Sequence, residues 1–463
     1  MAKDFHEVRD PIHVFVKYDS YERDVIDSRP FQRLRHINQL ALSHLVYPGA
    51  THKRFEHSLG VMELAGRVFD VITQPRAIRP AIRELLPEVD NEHQRVYWRS
   101  ALRMAALCHD MGHLPFSHTS EDLFPPDWDH ERMTVAIIRS EEMGPLWDRM
   151  KLKTDDVAKL AVGPEEADRL GLGAFSRWED LLSEIIVGDA FGVDRMDYLL
   201  RDSYHSGVSY GRFDHYRLID TLRILPSPEA EPMAADAEEG EMLGAKSHHP
   251  AADVAGEPML GVEKGGLHSA ESLLLARYFM FQQVYLHPVR RIYDIHLRDF
   301  LKHHLPGGAF STETEKHLAQ TDVEITCALR TASWDKEAPG HIQARCIVQR
   351  QHFKVLYERN PNDIKRNADA VNAIARAAII AYGDDNVRGD PYTKGGGVPD
   401  FPVLEKDGRI VSSLAESQTL KNVPVAAAGF VFVSRDRLDE AKAWLEKNRD
   451  DILAQPEKEE GEE

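Results

Sequence analysis

Within "LCHDMGHLPFSH", residues 107–118, His109 and Asp110 are adjacent, His113 lies four residues past His109, and His118 closes the stretch. Upstream, His57 stands four residues before Val61 and seven before Leu64, on the apolar stripe of its own segment. Downstream, "VGDAFGVDRMDYLLRDS", residues 187–203, sets Asp194, Tyr198 and Asp202 at spacings of four, one face of a helix. A single histidine on an apolar face is usually a hydrogen-bonded core residue, and a single aspartate near a helix end is usually a cap. Together, His57, His109, Asp110 and Asp194 make a mixed nitrogen and oxygen donor set suited to an octahedral divalent ion such as Mg²⁺, Mn²⁺ or Fe²⁺. No cysteine pair stands at ligand spacing, which argues against a closed structural zinc site. A second ring, His113, His118, Glu121, His130 and Glu131, is too large to ligate the same ion. Cleaving a phosphate ester requires an activated water and an acid for the leaving oxygen, and histidine titrates nearest neutrality.

Helices must carry these groups. In "HSLGVMELAGRVFDVI" the residues Val61, Leu64, Ala65, Val68, Phe69 and Ile72 recur at intervals of three and four. "YWRSALRMAALCHD" repeats the pattern through Ala101, Leu102, Ala105 and Cys108, with Gly112 as the expected C-terminal stop. Helical spacing returns in 179–202, 270–302 and 341–358, and no alternation of strands and helices supports a parallel sheet. "FDHYRLIDTLRIL" and "MLGVEKGG" flank the stretch 226–258, rich in Pro, Ala, Gly and Glu; the pattern predicts a β-hairpin carrying an acidic, mobile insert. Beyond Tyr382, "RGDPYTKGGGVPDFP" reads as a loop, "AAAGFVFVS" as a strand and "DRLDEAKAWLEKNRDDIL" as an amphipathic helix. The expected organisation is a core over 1–359, an α+β region over 360–455 and a disordered acidic tail over 456–463.

The chain has 463 residues, enough for a large core, and a formal net charge of −19, which argues against sequence-blind adhesion to nucleic acid. Only three cysteines occur, an odd number at wide spacing, which fits reduced thiols. "MAKDFHEVRDP" lacks the apolar core of a signal peptide, and the run "VPVAAAGFVFV" falls short of the ~20 residues of a membrane span. The expectation is a cytoplasmic protein.

With these residues in view, the sequence resembles the HD-domain phosphohydrolase superfamily, whose signature is His…His-Asp…Asp. The blocks "FQRLRHINQL", "YPGATHKRFEHSLGVMELAG", "LCHDMGHLPFSH", "WDHE" and "VDRMDYLLRDS" resemble, more narrowly, the deoxynucleoside triphosphate triphosphohydrolases, both the animal SAM- and HD-domain-containing branch and bacterial relatives. The likeness is strong over residues 5–225 and looser over 260–360, and it matches the HD module without a SAM module. It implies a mainly α fold, an HD-domain helical core with a small β-hairpin insert and a small C-terminal α+β appendage. It implies that His57, His109, Asp110 and Asp194 bind a divalent metal (Mn, Mg or Fe). His113, His118, Glu121 and His130 then form the catalytic shell, with His118 the donor to the leaving 5′-oxygen and Glu121 in place of the family's aspartate. Arg54, Arg195, Tyr198 and Arg277 are the implied phosphate contacts, Arg195 replacing a lysine. Gln39, Leu40, Asp202 and Tyr285 are the implied deoxyribose contacts.

A tyrosine ring against C2′ leaves no room for a 2′-hydroxyl, so the implied substrates are deoxynucleoside triphosphates. The resemblance also implies activation at a subunit interface of a homo-oligomer, dimer or tetramer, where Asp27, Gln32 and Arg35 read a guanine base of GTP or dGTP. His6 stands where the family has a phosphate-binding lysine, and "VEKGGLHS" where it has basic residues. Two alternatives remain open: an HD-type phosphodiesterase or nuclease, and a non-catalytic nucleotide-sensing protein.

Overall fold

The computed structural model describes residues 5–228, 256–393 and 397–454. Most of the acidic insert and all of the tail from 456 lie outside the described residues. The chain forms two compact units, one of Met1–Met280, Ser311–Asp322 and Gly396–Pro424, the other of Phe281–Phe310, Val323–Gly395 and Val425–Glu463. The boundary expected at 359/360 falls inside the second unit, because strands on either side of it pair with each other.

The first unit's described residues open with an antiparallel hairpin, β1 (Phe5–Asp10) and β2 (Val14–Asp19), which is absent from the expected organisation. Its helical core begins with α1 (Arg54–Ile72), where the Glu56 carboxylate accepts from the Lys53 backbone N–H at 2.8 Å and closes the first turn. The predicted stripe is buried, from Val61 through Ile72. The next long helix, α2 (Glu92–Cys108), is capped by Asn91 and buries Ala101, Leu102, Ala105 and Cys108. α3 (His130–Ile138) is capped by Asp129 and α4 (Arg177–Val187) by Ser176 with Glu179. After a break at Gly188–Gly192 comes α5 (Val193–Ser206), closed by Gly207 at φ 76°. The expected single helix over 179–202 is therefore two, turned at a pair of glycines.

The expected hairpin is present: β3 (Leu222–Pro226) pairs antiparallel with β4 (Pro258–Glu263). β4 also takes a short parallel partner, Pro402–Leu404, which pairs in turn with Ile410–Ser412. α6 (Leu267–Met280) ends the longest segment of this unit.

The second unit contains α7 (Pro288–His304), separated from α6 by a π-helical turn, Phe281–Tyr285, so the helix expected over 270–302 is interrupted. Pro288 supplies the reason, since it lacks the N–H a continuous helix needs. Helix His341–Val348 gives way to β5 (Lys354–Glu358), correcting the helix expected to run to 358. α8 (Ala370–Tyr382) leads to β6 (Val387–Thr393), which takes "RGDPYT" out of the expected loop. β7 (Ala427–Val433) is the predicted strand and lies between β5 and β6, antiparallel to both. α9 (Leu438–Ala454) is the predicted amphipathic helix, and buries Ala441, Leu445, Ile452 and Leu453 with Val371, Ile374 and Val431.

The fold is thus mainly α, with small sheets and a C-terminal mixed region. Gly112 is not the left-handed stop expected of it, for α2 ends at Cys108 and Gly112 is absent from the positive-φ glycines. It is needed for close approach: a Cβ there would collide with the His130 carbonyl and the Thr134 backbone nitrogen. Gly112→Ala is expected to destabilise the protein by about 1–3 kcal/mol, the usual cost of overpacking, read as a lower urea midpoint. An unchanged midpoint would show that the backbone there yields freely.

Candidate metal centre and its acid–base shell

His57 projects from α1, His109 and Asp110 from the turn that ends α2, and Asp194 from the first turn of α5. His57 Nε2 lies 3.0 Å from Asp194 Oδ1 and 3.6 Å from Asp110 Oδ2. His109 Nε2 lies 3.4 Å from Asp110 Oδ1 and 3.5 Å from Asp194 Oδ1. One ligand atom each from His57, His109 and Asp194 falls within 4.8 Å of the others, and Asp110 flanks both imidazoles.

Whether these residues fit a metal ion turns on where the ring protons are. His109 Nδ1 faces the Ala106 carbonyl at 2.8 Å, and a carbonyl can only accept, so that nitrogen carries the proton. The buried Nε2 then holds a lone pair and has no hydrogen-bond partner among the described residues. His57 Nδ1 is similarly fixed by Asp197 Oδ2 at 2.8 Å, which turns its Nε2 inward. Imidazoles tied at one nitrogen, with the other bare (His109) or turned on a carboxylate that a cation would share (His57 on Asp194), are what a ligating pair requires. Burial opposes a charge on His57, yet the hydrogen bonds to Asp194 and Asp197 push its pKa up to about 10. The field in this cluster therefore favours positive charge. The residues fit a divalent cation.

Asp197 holds this arrangement. It is fully buried, takes Arg201 Nε at 2.8 Å and Nη2 at 2.9 Å, and meets His13 Nε2 at 2.6 Å as well as His57. Arg201 also donates to Asp10 Oδ2 at 2.8 Å, so the N-terminal hairpin is tied to α5 beneath the site. Gly60 of α1 makes room, because a Cβ there would overlap the Asp197 carboxylate and the Arg201 guanidinium. Spacing alone misses Asp197, for it points to the face 194, 198, 202, while the supporting residues lie on the face 194, 197, 201.

The acid–base shell lies on the turn after α2 and the start of α3. Glu121 accepts from His118 Nδ1 at 2.8 Å through one oxygen and from His130 Nδ1 through the other. Glu131 Oε2 stands 3.0 Å from the same His130 nitrogen. Burial resists the charge on His130, but the two glutamates push it up to about 10, while the two histidines hold Glu121 far below the carboxylate range. His113 Nε2 lies 3.2 Å from Asp110 Oδ1; burial, the Arg54 guanidinium and His130 drive its pKa down. His118 is 65% exposed and faces solvent.

This turn is strained and anchored. Phe116 and Ser117 adopt φ of 60° and 55°, a left-handed conformation that costs a non-glycine residue about 1–3 kcal/mol. Asp322 holds it, accepting from the Phe116 N–H at 2.7 Å and the Asn38 N–H at 2.8 Å. Sequence gave no signal for Asp322, which is 206 residues away from Phe116.

The expected phosphate contacts divide. Arg195 and Arg277 converge on Asp189: Arg195 Nη2 lies 3.1 Å and Arg277 Nη2 3.4 Å from Oδ1. Burial and the Arg195 charge lower the Arg277 pKa, and burial raises that of Tyr198, which the two guanidiniums oppose. Arg54 is buried, pairs with Asp110 and donates to Ser117 Oγ at 2.8 Å, so it is committed within the site. Of the expected sugar contacts, Gln39 donates its N–H to the His52 carbonyl at 3.0 Å, and Asp202 meets His52 Nε2 at 2.7 Å. His52 thus joins them, and Leu40 is buried nearby in sequence. Tyr285 belongs to the second unit, its ring 5.1 Å from that of Phe281.

Among the expected guanine readers, Gln32 accepts from Arg35 Nε at 2.8 Å, Arg35 stacks 3.5 Å over the Phe55 ring, and Asp27 is exposed beside Arg23. His6 stacks on Tyr18 at 5.7 Å.

A helical core presenting two histidines and two aspartates from three helices, with further histidines beside them, defines a metal-dependent phosphohydrolase of the HD type. Residues 54–166 match the HD domain and residues 255–382 the HD associated region. A solved structure of a hypothetical protein from Aquifex aeolicus is similar at TM-score 0.72 and 30% identity, over 95% of this chain and 100% of that one. The chain belongs to the HD-domain superfamily.

An uncharacterized protein of Methanocaldococcus jannaschii is 34% identical over 62% of this chain and 47% of its own length. The deoxynucleoside triphosphate triphosphohydrolase SAMHD1 of Danio rerio is 34% identical over 46% of this chain and 36% of its own length. The similarity to these two curated relatives thus spans less than half of each. No helix among the described residues is long and apolar enough to cross a membrane.

Asp197→Asn preserves shape and removes the charge that fixes His57. It is expected to weaken Mn²⁺ binding about 10–100-fold, measured by equilibrium dialysis. Unaltered affinity would show that His57 is oriented by other means.

Proposed function

We propose that this chain hydrolyses deoxynucleoside triphosphates to deoxynucleoside and triphosphate, with stimulation by a guanine nucleotide. The observation that carries the reading is Glu121 bridging His118 and His130 beside the His57, His109, Asp110 and Asp194 cluster: a braced proton donor next to a cation site. Similarity to proteins named deoxynucleoside triphosphate triphosphohydrolase supports the substrate.

A divalent ion, Mn²⁺, Mg²⁺ or Fe²⁺, supplies charge neutralisation and water activation when bound. His118, held through Nδ1 by an ionised Glu121, delivers a proton to the departing 5′-oxygen and takes up another from water on its exposed side. His130 keeps Glu121 ionised and in place. His113, neutral because it is buried against Arg54, packs flat on His130, ring centroids 4.1 Å apart. Arg195 and Arg277 release Asp189, which is 74% exposed, and take the triphosphate in its stead, with Tyr198 between them. Gln39, Leu40 and Asp202 receive the deoxyribose. Asp27 and Arg35 select guanine, since a carboxylate accepts from N1–H and N2–H₂ while an arginine donates to O6. If two subunits share that pocket, nucleotide binding and assembly reinforce one another.

The test is purified protein with Mn²⁺ and each dNTP, rNTP, cyclic dinucleotide and single-stranded DNA, products separated by chromatography. Deoxynucleoside with intact triphosphate is expected from dNTPs alone; release of a monophosphate, or equal use of rNTPs, would refute the reading. His109→Ala with Asp110→Ala is expected to abolish both turnover and Mn²⁺ content. His118→Ala is expected to retain the ion at that cluster yet lose about 10²–10⁴-fold in rate. GTP or dGTP is expected to raise the rate on dATP and increase the sedimentation coefficient, and Asp27→Ala to blunt both. A rate and sedimentation indifferent to millimolar guanine nucleotide would leave a constitutive enzyme.

A further inference from the structure

We propose that His52 is a positioning residue of the sugar site, holding Gln39 and Asp202 for the 3′-hydroxyl of the nucleotide and so setting the preference for a sugar that carries one. This deepens the deoxynucleotide reading above and rests on it. One residue reaches both groups: the His52 carbonyl accepts from the Gln39 backbone N–H at 3.0 Å, and His52 Nε2 lies 2.7 Å from Asp202 Oδ1. A carboxylate accepts, so Nε2 carries the proton and donates. Nδ1, buried and without a partner among the described residues, then holds the lone pair. Both side chains of the pair are enclosed, that of His52 fully and that of Asp202 to within 2%.

The loop that carries His52 is seated on the last turn of α5. Gly49 comes so close that a Cβ there would collide with the His205 carbonyl. The His52 ring stacks on the His205 ring, centroids 4.5 Å apart and 14° from parallel. Burial, the largest cause, pushes the His205 pKa down to about 4, so at pH 7 that ring is neutral and offers an apolar face. His52 is thus fixed by shape, and Asp202 is fixed by His52.

A second observation points to a ligand group. Gln39 Oε1 is buried and has no hydrogen-bond partner among the described residues, a state that costs stability unless something bound supplies one. Ionised phosphate oxygens only accept and are repelled by Asp202, whereas a hydroxyl both donates and accepts. The 3′-hydroxyl is the only hydroxyl on the sugar of a 2′-deoxynucleoside triphosphate. Its hydrogen bond to Asp202 is charge-assisted, and its geometry depends on where His52 holds the carboxylate.

The experiment measures binding of dATP and 2′,3′-dideoxy-ATP to the full chain with Mn²⁺, by equilibrium dialysis, in a His118→Ala background that spares the nucleotide. Adenine nucleotides keep the guanine-reading residues out of the measurement. With His52 intact, dATP is expected to bind about 10–100-fold tighter than the dideoxy form, the usual range for a hydrogen bond to a charged group. His52→Phe, which keeps a ring on His205 and loses the N–H, is expected to shrink that ratio at least about fivefold by weakening dATP alone. His52→Gln, whose amide N–H reaches about as far as Nε2, is expected to restore it. If His52→Phe does not fold, His52→Asn, too short to reach Asp202, takes its place. A ratio unchanged by loss of the N–H, equal weakening of both nucleotides, or no preference or no binding at the outset would overturn the proposal. In a separate arm without the His118 substitution, His52→Phe is expected to raise KM for dATP more than it lowers kcat; an unchanged KM would also overturn it. No turnover of any dNTP by wild-type protein, alongside a binding ratio that depends on His52, would sink the functional reading and leave the positioning role standing.

Discussion

The buried carboxylate of Asp197 is the interaction on which the rest of the centre depends. A lone ionised carboxylate at this depth would be prohibitive, and breaking a buried ion pair by removing one partner typically costs about 3–5 kcal/mol. Arg201 satisfies it from within the same helix, and Asp10 satisfies Arg201 from the N-terminal hairpin. The remaining acceptor capacity fixes His57 and His13. One charge thereby sets the tautomer of His57, the approach of α1 to α5, and the docking of the β1–β2 hairpin. Gly60 is the steric condition for all three.

Around that foundation the site uses its own side chains as counter-charges. Arg54 occupies one oxygen of Asp110, and Asp189 occupies two arginines. Such pairs keep buried charge tolerable in the free protein. Asp189, 74% exposed, can exchange its arginines for water. Arg54, fully enclosed, has no such exit, which assigns it to holding Asp110 and Ser117.

The turn between α2 and α3 carries the acid–base groups at an energetic cost. Two successive left-handed residues are stabilised there from outside the loop by Asp322, which accepts from the Phe116 amide, and by Arg54 and Asn38, which bond the Ser117 hydroxyl. Strain of this kind aims a side chain, and here it aims His118 outward while Glu121 turns back to bind it. The same carboxylate bridges both imidazoles and holds His118 in place.

Periodicity sufficed for the helices that bury a stripe, α1, α2 and α9, because intervals of three and four are a local property of the chain. The His…His-Asp…Asp set and the histidine ring were legible for a related reason: those residue types, so close together, have few other uses. Interruptions at Gly188–Gly192 and Pro288 were written in the residues but outweighed by long apolar periodicity. Tertiary structure alone decided Asp197, Arg201, His13 and Asp322. Each is a buried charge or polar group whose meaning lies in a partner from a distant segment, and no spacing along the chain records that pairing. It also decided that Gly112 serves close packing and that Arg54 is committed to Asp110, since both depend on which backbone comes alongside. The sequence determined which groups could do chemistry, whereas the packing of α1 against α5 and of the 116–118 turn against Asp322 decided where their protons and lone pairs point.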